Sequence, residues 1–578
     1  MQRRIWEDVH VDVERATAIA SAIGVPLVVA RLLCQRGLDD PARAREFLEP
    51  DLTQLHDPYL LADMRIGVDR ILAAVARPER IAIHGDYDVD GVTATAILRR
   101  AIEFIGGDVV HFIPDRMKDG YGLQPDTVER LAATGSKLII SVDCGIRAGE
   151  AARRARELGV DLIITDHHEP DGDLPDALAV INPKRADCHY PDKYLAGVGV
   201  ALKVVQALFA ASGRGAESLP HYVKIAAIGT LADVVPLVGE NRVIARCGLQ
   251  GLSIGPNGAG IEALLAESGL TGRTLDSFHV GFMLAPRLNA AGRMSSPDLA
   301  LDLLLLKGRD EGVRTRARDL ARQLTEENTR RQTQEASMLA EAKRVIDHDP
   351  AIGGQNILIV AGHDWHRGVV GIVASKLVDA YHKPALVLAI ENGIAYGSGR
   401  SISAFDLLAG LESCADVFLR FGGHRHAAGV SLAADRLDEL RRRLSARAND
   451  LLSPSDLVPR LRIDSPLHLN DISGDVVQAL ARLGPFGSAN PKPVFRASPV
   501  DLATLPKKLK DRHLSLVLKQ GGRSFRAIAW RAADREEYFS NHRYGLELAY
   551  SLEENEFRGE RLTELTIADL RLPLEQPA

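Results

Sequence analysis

Cysteine is scarce in this 578-residue chain and isolated where it occurs: Cys34, Cys144, Cys188, Cys247 and Cys414 form no CxxC pair. Neither a zinc ribbon nor a disulfide framework is indicated, and free thiols are expected. No apolar run approaches the roughly 18 residues needed to cross a bilayer. The start, MQRRIWEDVHVDVERA, turns acidic at once and lacks the apolar stretch and small-residue cleavage site of a secretory signal. A membrane partner is therefore not expected, and the expected location is the cytoplasm. Low-complexity tracts are missing too, and with 46% hydrophobic and 26% charged residues the composition is that of a folded globular protein. Excess positive charge is also absent. A formal net charge of −6 gives no global pull toward nucleic acid, although an average over modules leaves room for a local basic groove.

The length exceeds what one hydrophobic core supports, so three or four modules are expected. Between about Asp63 and Pro183, short β-branched runs (80–84, 108–113, 137–143 and 161–167) alternate with stretches of helical periodicity that close on glycine. This alternation predicts parallel βαβ units. From Arg309 to about His348 the sequence has no proline and a single glycine, Gly312. It reads as one long, highly charged helix whose apolar stripe is too narrow for a core helix, hence a strut between domains. A second, smaller α/β unit follows to about residue 450. From Pro454 onward, short alternating runs broken by Gly, Pro and Asn predict a small β-barrel.

Four segments carry the chemistry. The first is His84-Gly85-Asp86-Tyr87-Asp88-Val89-Asp90-Gly91, where a strand gives way to a helix. Three carboxylates within five residues repel one another unless a cation is present. Asp143 ends the next strong strand, Asp166-His167-His168 ends another, and Asp233 stands alone among apolar residues. Ligands of open parallel sheets sit outside the carboxyl ends of the strands, so these segments are expected to converge on one crevice. A single Asp after a strand is more often a helix cap than a ligand. A set of mixed His and Asp side chains on successive strand ends has no comparable structural use, and it points to metal. Carboxylates and imidazoles without thiolate favour manganese, with magnesium as the alternative. Alternation along an extended segment points Asp86 away from the cleft, which gives it a supporting role.

Taken together, HxxxDxD, an Asp after the next strand, Asp-His-His and a later Asp resemble the DHH phosphoesterase superfamily. GGHRHAAG (422–429), preceded by GSGRS (397–401), resembles its DHHA1 domain. HGDYDVDG, WHRGVVGIVASKL (365–377) and LGPFGSANPKPVF (483–495) resemble the RecJ branch in particular. The resemblance implies two manganese ions bridged by Asp143, one also held by His84 and Asp88, the other by Asp90, His167 and Asp233. Catalysis would fall to Asp143 and to His168 beside the scissile phosphate. Two ions can activate a water and stabilise the leaving oxygen. The implied organisation is an α/β fold: an N-terminal helical segment (1–60), a DHH domain (61–305), a linker helix (306–348), a DHHA1 domain (349–450) and an OB-fold-like nucleic-acid-binding domain (454–578). The implied activity is 5′-to-3′ degradation of single-stranded DNA in repair and recombination, with a single-strand-binding protein and a helicase as candidate partners. Polarity and DNA preference come from the resemblance alone. The alternatives are a short-oligonucleotide or cyclic-dinucleotide phosphodiesterase, which the strut and barrel argue against, and a non-catalytic DNA-binding scaffold, which the full ligand set argues against.

Cationic groups that could grip phosphates lie beside the motifs: Arg116, Arg287 in APRLNAAGR, and Ser398, Arg400 and His424 in the glycine-rich segments. Glycine-rich backbone approaches phosphate closely. Tyr121 could stack on a base or cover the core. In the barrel, Lys507, Lys508, Lys510, Arg512, Lys519, Arg523, Arg526 and Arg531 accompany a single acid, Asp511, with Phe486, Phe495, His513 and Trp530 interleaved or adjacent. Basic grooves with aromatic faces are how OB-folds hold single strands.

Overall fold

The computed structural model describes residues 4–115, 119–120, 122–557 and 560–573, which leaves the candidates Arg116 and Tyr121 outside the described residues. Two compact units make up the chain: residues 51–457, and residues 1–50 together with 458–578.

The larger unit opens on a parallel sheet of Ile81–His84 (β1), Val109–Phe112 (β2), Leu138–Val142 (β3), Asp161–Thr165 (β4) and Ala179–Ile181 (β5), in the order β2-β1-β3-β4-β5. Every residue of β1 and β3 is buried, because crossover helices cover both faces of such a sheet. At three residues, β5 is too short to stand out as a run in the sequence. Val89–Ile105 (α1) leaves the end of β1 and packs against Gly197–Ser212 (α2) and Leu219–Ala232 (α3). Asp88 caps α1 by accepting from the backbone N–H of Asp90 and Gly91, and Gly106 closes it at φ 105°. Among the further helices of this part are Gly239–Ile254 (α4) and Ala285–Met294 (α5).

The long helix, Glu311–His348 (α6), is capped by Asp310 and leads to a second sheet. Its strands are Leu358–His363 (β6), Ala385–Glu391 (β7), Ile394–Arg400 (β8), Arg420–His424 (β9) and Ala427–Ala433 (β10), in the order β9-β10-β8-β7-β6. Val370–Tyr381 (α7) links β6 to its parallel neighbour β7, and the remaining pairings are antiparallel. The apolar stripe of α6 is as narrow as the sequence suggests, yet it is not left outside the cores. Leu320 and Leu324 are buried in the core of the first sheet's helices, and Met338, Ala342 and Ile346 in the core of the second sheet. Between them the buried positions turn polar and are paired: Arg331 donates to Asn328 Oδ1 and to Glu335 Oε2, at 2.6 Å for the latter. A few side chains at each end anchor the helix, so a strut needs no continuous stripe.

In the smaller unit, Phe495–Leu502 (β11), His513–Gln520 (β12), Arg523–Ala529 (β13), Leu546–Phe557 (β14) and Glu560–Arg571 (β15) close a five-stranded barrel through the β11–β12 pairing. Closure removes the free edges that would otherwise invite aggregation. The first residues belong to the same unit: Ile5–Asp8 pairs in parallel with Arg460–Ile463, and Ile19, Val29, Leu32 and Leu33 enter the barrel's core cluster.

If α6 is anchored as described, Leu324→Ala destabilises the larger unit by about 2–5 kcal/mol, whereas the exposed Arg318→Ala changes it by less than about 0.5 kcal/mol. Chemical denaturation of the two variants checks this, and equal midpoints would show that α6 only bridges.

Candidate metal centre

The carboxyl ends of β1, β3 and β4 bring Asp86, Asp88, Asp90, Asp143, His167 and His168 into one crevice, and Asp233 joins them from the end of α3. Three groups of ligand atoms lie within 4.8 Å of one another: Asp86, Asp88 and Asp143; Asp90, His167 and Asp233; and Asp143, His167 and His168. Asp143 therefore belongs to two clusters. His167 Nε2 stands 3.2 Å from Asp143 Oδ1, 3.7 Å from Asp233 Oδ2 and 3.9 Å from Asp90 Oδ2.

Close backbone approach makes this crowding possible. A Cβ on Gly197 would meet Asp143 Oδ1 at 2.3 Å, and one on Gly91 would meet the Asp86 backbone at 2.6 Å. Only glycine fits either position. Asp90 lies against the start of α2, where its Oδ2 accepts from Gly197 N at 2.7 Å and its Oδ1 from Val198 N at 2.8 Å. A helix N-terminus favours such a charge. Asp143 itself has φ 61°, a left-handed conformation that Asp tolerates better than most residues.

Electrostatically the cluster is unbalanced. Burial, reinforced by Asp88, pushes the Asp90 carboxyl up to about 7 against the pull of its two N–H donors. Asp233 is pushed up to about 9 by burial, Asp90 and Asp88, and Asp143 is also raised by burial and its acidic neighbours. Burial holds the imidazoles in the neutral state that ligates metal: His84 falls to about 4, and His167 to about 3 with the help of His168. His84 Nε2, Asp143 Oδ1 and His167 Nε2 are buried and make no hydrogen bond. Buried polar atoms are nearly always satisfied. Buried oxygen and imidazole donors without hydrogen-bond partners among the described residues fit divalent cations bound by hard and borderline ligands.

Two residues differ from the sequence expectation or were not foreseen by it. Asp86 faces the cluster, because residues 85–88 form a turn into α1 and the alternation of an extended strand does not apply. Asp166 belongs to none of the three ligand groups and organises the motif around itself. It accepts from His167 N, His168 N and Ile146 N, and lies 2.7 Å from His168 Nδ1. Burial pulls His168 down, but the hydrogen bond and charge of Asp166 outweigh it, and its pKa ends above the ordinary value. The grip of Gly197 and Val198 on Asp90 also went unread. The only hint was the run Ala196-Gly197-Val198-Gly199, which caps and opens α2.

Among the phosphate-binding candidates, Ser398 and Arg400 lie two residues apart near the end of β8, the central strand of the second sheet. Arg400 Nη1 donates to Ser398 Oγ at 3.0 Å, and a Cβ on Gly371, at the start of α7, would meet that Oγ at 3.0 Å. The pKa of His424 is lowered by burial and by the nearby charges of His426 and Arg400, which places it in the same locality. Arg287 has donors committed inside the fold, Nε to Thr325 Oγ1 and Nη1 to Met283 O. Helix α5, which carries Arg287, backs onto the catalytic loop: a Cβ on Gly292 would meet Tyr87 O at 2.5 Å. In the barrel, Phe495 is a core residue whereas Trp530 is 51% exposed with His513 packed edge-on against it. Lys508 and Arg526 are ion-paired to Glu536 and Glu564.

Comparison with known proteins gives the same ordering of parts. The DHH family N-terminal domain matches residues 80–230, the DHHA1 domain residues 354–450, and the RecJ OB domain residues 463–569. The single-stranded-DNA-specific exonuclease RecJ of Bacillus subtilis is 40% identical over 84% of this chain and 61% of its own length. The protein of the same name from Dickeya dadantii is 37% identical over 94% of this chain and 96% of its own. The crystal structure of Thermus thermophilus RecJ in complex with Mn2+ superposes with a TM-score of 0.83 at 31% identity, covering 99% of this chain and 80% of that one. A Mg2+ complex of the same protein gives 0.78. With its three domains matched in order and a relative aligned over nearly the full length of both chains, the chain belongs to the RecJ family of DHH–DHHA1 proteins.

Proposed function

We propose that the chain is a divalent-metal-dependent exonuclease that degrades single-stranded DNA from the 5′ end, acting in DNA repair and recombination. The observation that carries this reading is the buried set of carboxylate and imidazole atoms that lack hydrogen-bond partners and converge at the strand ends. In this reading His84 and Asp88 hold one ion with Asp86 beside them, Asp90, His167 and Asp233 hold the other, and Asp143 serves both. Manganese suits the donor set, with magnesium as the alternative. When bound, such a pair supplies the Lewis acidity that a phosphodiester hydrolysis requires.

The chain's own groups do the rest. Asp166 fixes His168 through Nδ1, so the ring presents its other nitrogen to the scissile phosphate, and Asp166 favours the charged form of the ring. Ser398, Arg400 and His424, with Arg287, read the terminal phosphate, which carries more charge than an internal one. Arg116 and Tyr121 complete the candidate substrate contacts. Basic barrel residues with no ion pair among the described residues, Lys507, Lys510, Arg512, Lys519 and Arg531, hold the strand behind the end. Single-strand-binding protein and a helicase are the partners that fit an enzyme needing a displaced strand.

Three experiments test the parts separately. Asp143→Asn keeps the shape and tolerates the left-handed backbone, so it is expected to abolish hydrolysis and weaken manganese uptake while the protein melts normally. Activity within a few-fold of wild type would remove Asp143 from the mechanism. Arg400→Ala is expected to lower kcat/KM on 5′-phosphorylated strands by roughly ten- to a hundred-fold, the loss of a charge-assisted contact worth about 1.5–3 kcal/mol, with a smaller effect on hydroxyl-ended strands. Parallel assays on 5′- and 3′-labelled strands check polarity as well, and release of the 3′ label first would overturn it. Joint replacement of Lys510 and Arg512 by alanine is expected to reduce the slope of log K against log salt by about 1.4 if both meet phosphates. An unchanged slope would exclude this face from the DNA track.

A further inference from the structure

Val234 is the residue near the metal centre that the reading above leaves unexplained. It follows Asp233 directly where α3 ends, with φ 62°, and its side chain is 68% exposed. Helices commonly reverse through glycine at this position. A β-branched residue there is strained, because its Cβ crowds the following carbonyl. Left to itself the backbone would relax toward negative φ, and the strained bond adjoins Asp233, so the carboxylate would move with it. Burial of the Val234 side chain cannot be what holds the conformation, since the side chain faces solvent.

The restraint comes from Asn241, the third residue of α4, which is fully buried. Its Nδ2 donates to Pro236 O at 3.1 Å, two residues beyond Val234, and also to Tyr194 O. Its Oδ1 accepts from Ala196 N at 3.4 Å. Residues 194–196 run directly into Gly197 and Val198, whose N–H groups hold Asp90. One amide thus ties the segment that carries Asp233 to the segment that grips Asp90. Those two carboxylates and His167 form one of the ligand clusters. Asp192 fixes the start of α4 in turn, accepting from Glu240 N at 2.8 Å and from Tyr194 N at 2.9 Å.

We propose that Asn241 is a positioning residue for the Asp90, His167 and Asp233 cluster, and that it acts by keeping Val234 in its left-handed conformation so that Asp233 stays within reach of His167. The inference rests on the metal-dependent reading, and the test keeps the two apart. Manganese is titrated calorimetrically into the full chain and its variants, with melting of the metal-free proteins followed in parallel. Asn241→Ala is expected to weaken manganese binding by about ten-fold or more, the size of effect seen when the groups that orient metal ligands are removed. Val234→Gly is expected to bind manganese within about two-fold of wild type, because glycine adopts positive φ freely. The double variant is expected to recover most of the affinity lost in Asn241→Ala, since glycine needs no clamp. If Asn241→Ala does not fold, Asn241→Ser, which keeps a short polar group, takes its place in the same comparison. A wild-type chain that takes up no manganese overturns the metal reading and this inference with it. Wild-type affinity in the Asn241 variant overturns the inference alone, and so does a double variant as weak as the single one, because a merely structural asparagine would not be rescued at Val234.

Discussion

Repulsion among buried carboxylates is the constraint on which the rest of the larger unit turns. Asp86, Asp88, Asp90, Asp143 and Asp233 crowd one crevice, and burial together with their mutual charge raises the pKa values of Asp90, Asp143 and Asp233. Such a cluster is stable only with countercharge, and the protein supplies little of its own. It offers two N–H groups at the start of α2, two at the start of α1 and, at its edge, the His168 imidazole, whose pKa Asp166 raises. On the metal-dependent reading proposed above, divalent cations would complete the balance, and the surrounding geometry leaves room for them. Gly197 stands where a side chain would strike the Asp143 carboxylate, Gly91 where it would strike the backbone of Asp86, and Gly229 where a Cβ would come within 3.1 Å of Asp90 Oδ1. A parallel sheet suits the task, because the same ends of consecutive strands face one crevice.

This organisation explains what could be read from the sequence and what could not. The strands announce themselves as apolar runs, and the acids that follow them sit at strand ends by position alone, so Asp88, Asp143, His167 and His168 were legible as a group. Asp86 was misread because alternation was extended one turn too far: after His84 the chain is already turning into α1. The devices that hold the ligands come from distant sequence. Val198 reaches Asp90 across 108 residues, and nothing about an isolated Val or Asn marks it as a support. Asp166 was visible within its motif, but whether it would ligate or position depended on which way the chain turned after β4. In the barrel, composition marked the basic stretch. Alternation could not separate Phe495, which is core, from Trp530, which is exposed.

Distance between the sheets is set by a helix whose sequence looks unfit for burial. α6 succeeds because burial is concentrated at its ends, and because the polar centre is paired internally through Asn328, Arg331 and Glu335, with Lys376 of α7 reaching Glu335 as well. Asymmetric anchoring of this kind leaves most of the helix surface charged while fixing both ends. The Arg293 side chain adds a second tie by donating to Gly368 O at 3.1 Å, from the same helix that backs onto Tyr87.

A site built from carboxylates has a further consequence for a polyanionic substrate. Without cations the crevice repels phosphate, and the net charge of −6 adds no attraction at long range. Affinity for a strand would therefore have to be generated away from the reacting bond, by local groups such as Arg400 and basic side chains of the barrel. Binding energy realised at remote nucleotides can then be used to seat the terminal phosphate against charge that opposes it. In this light the barrel is tied to the chemistry. On the proposed reading, a centre acidic enough to hold cations would be too acidic to recruit DNA, so the two tasks would fall to different surfaces of one chain.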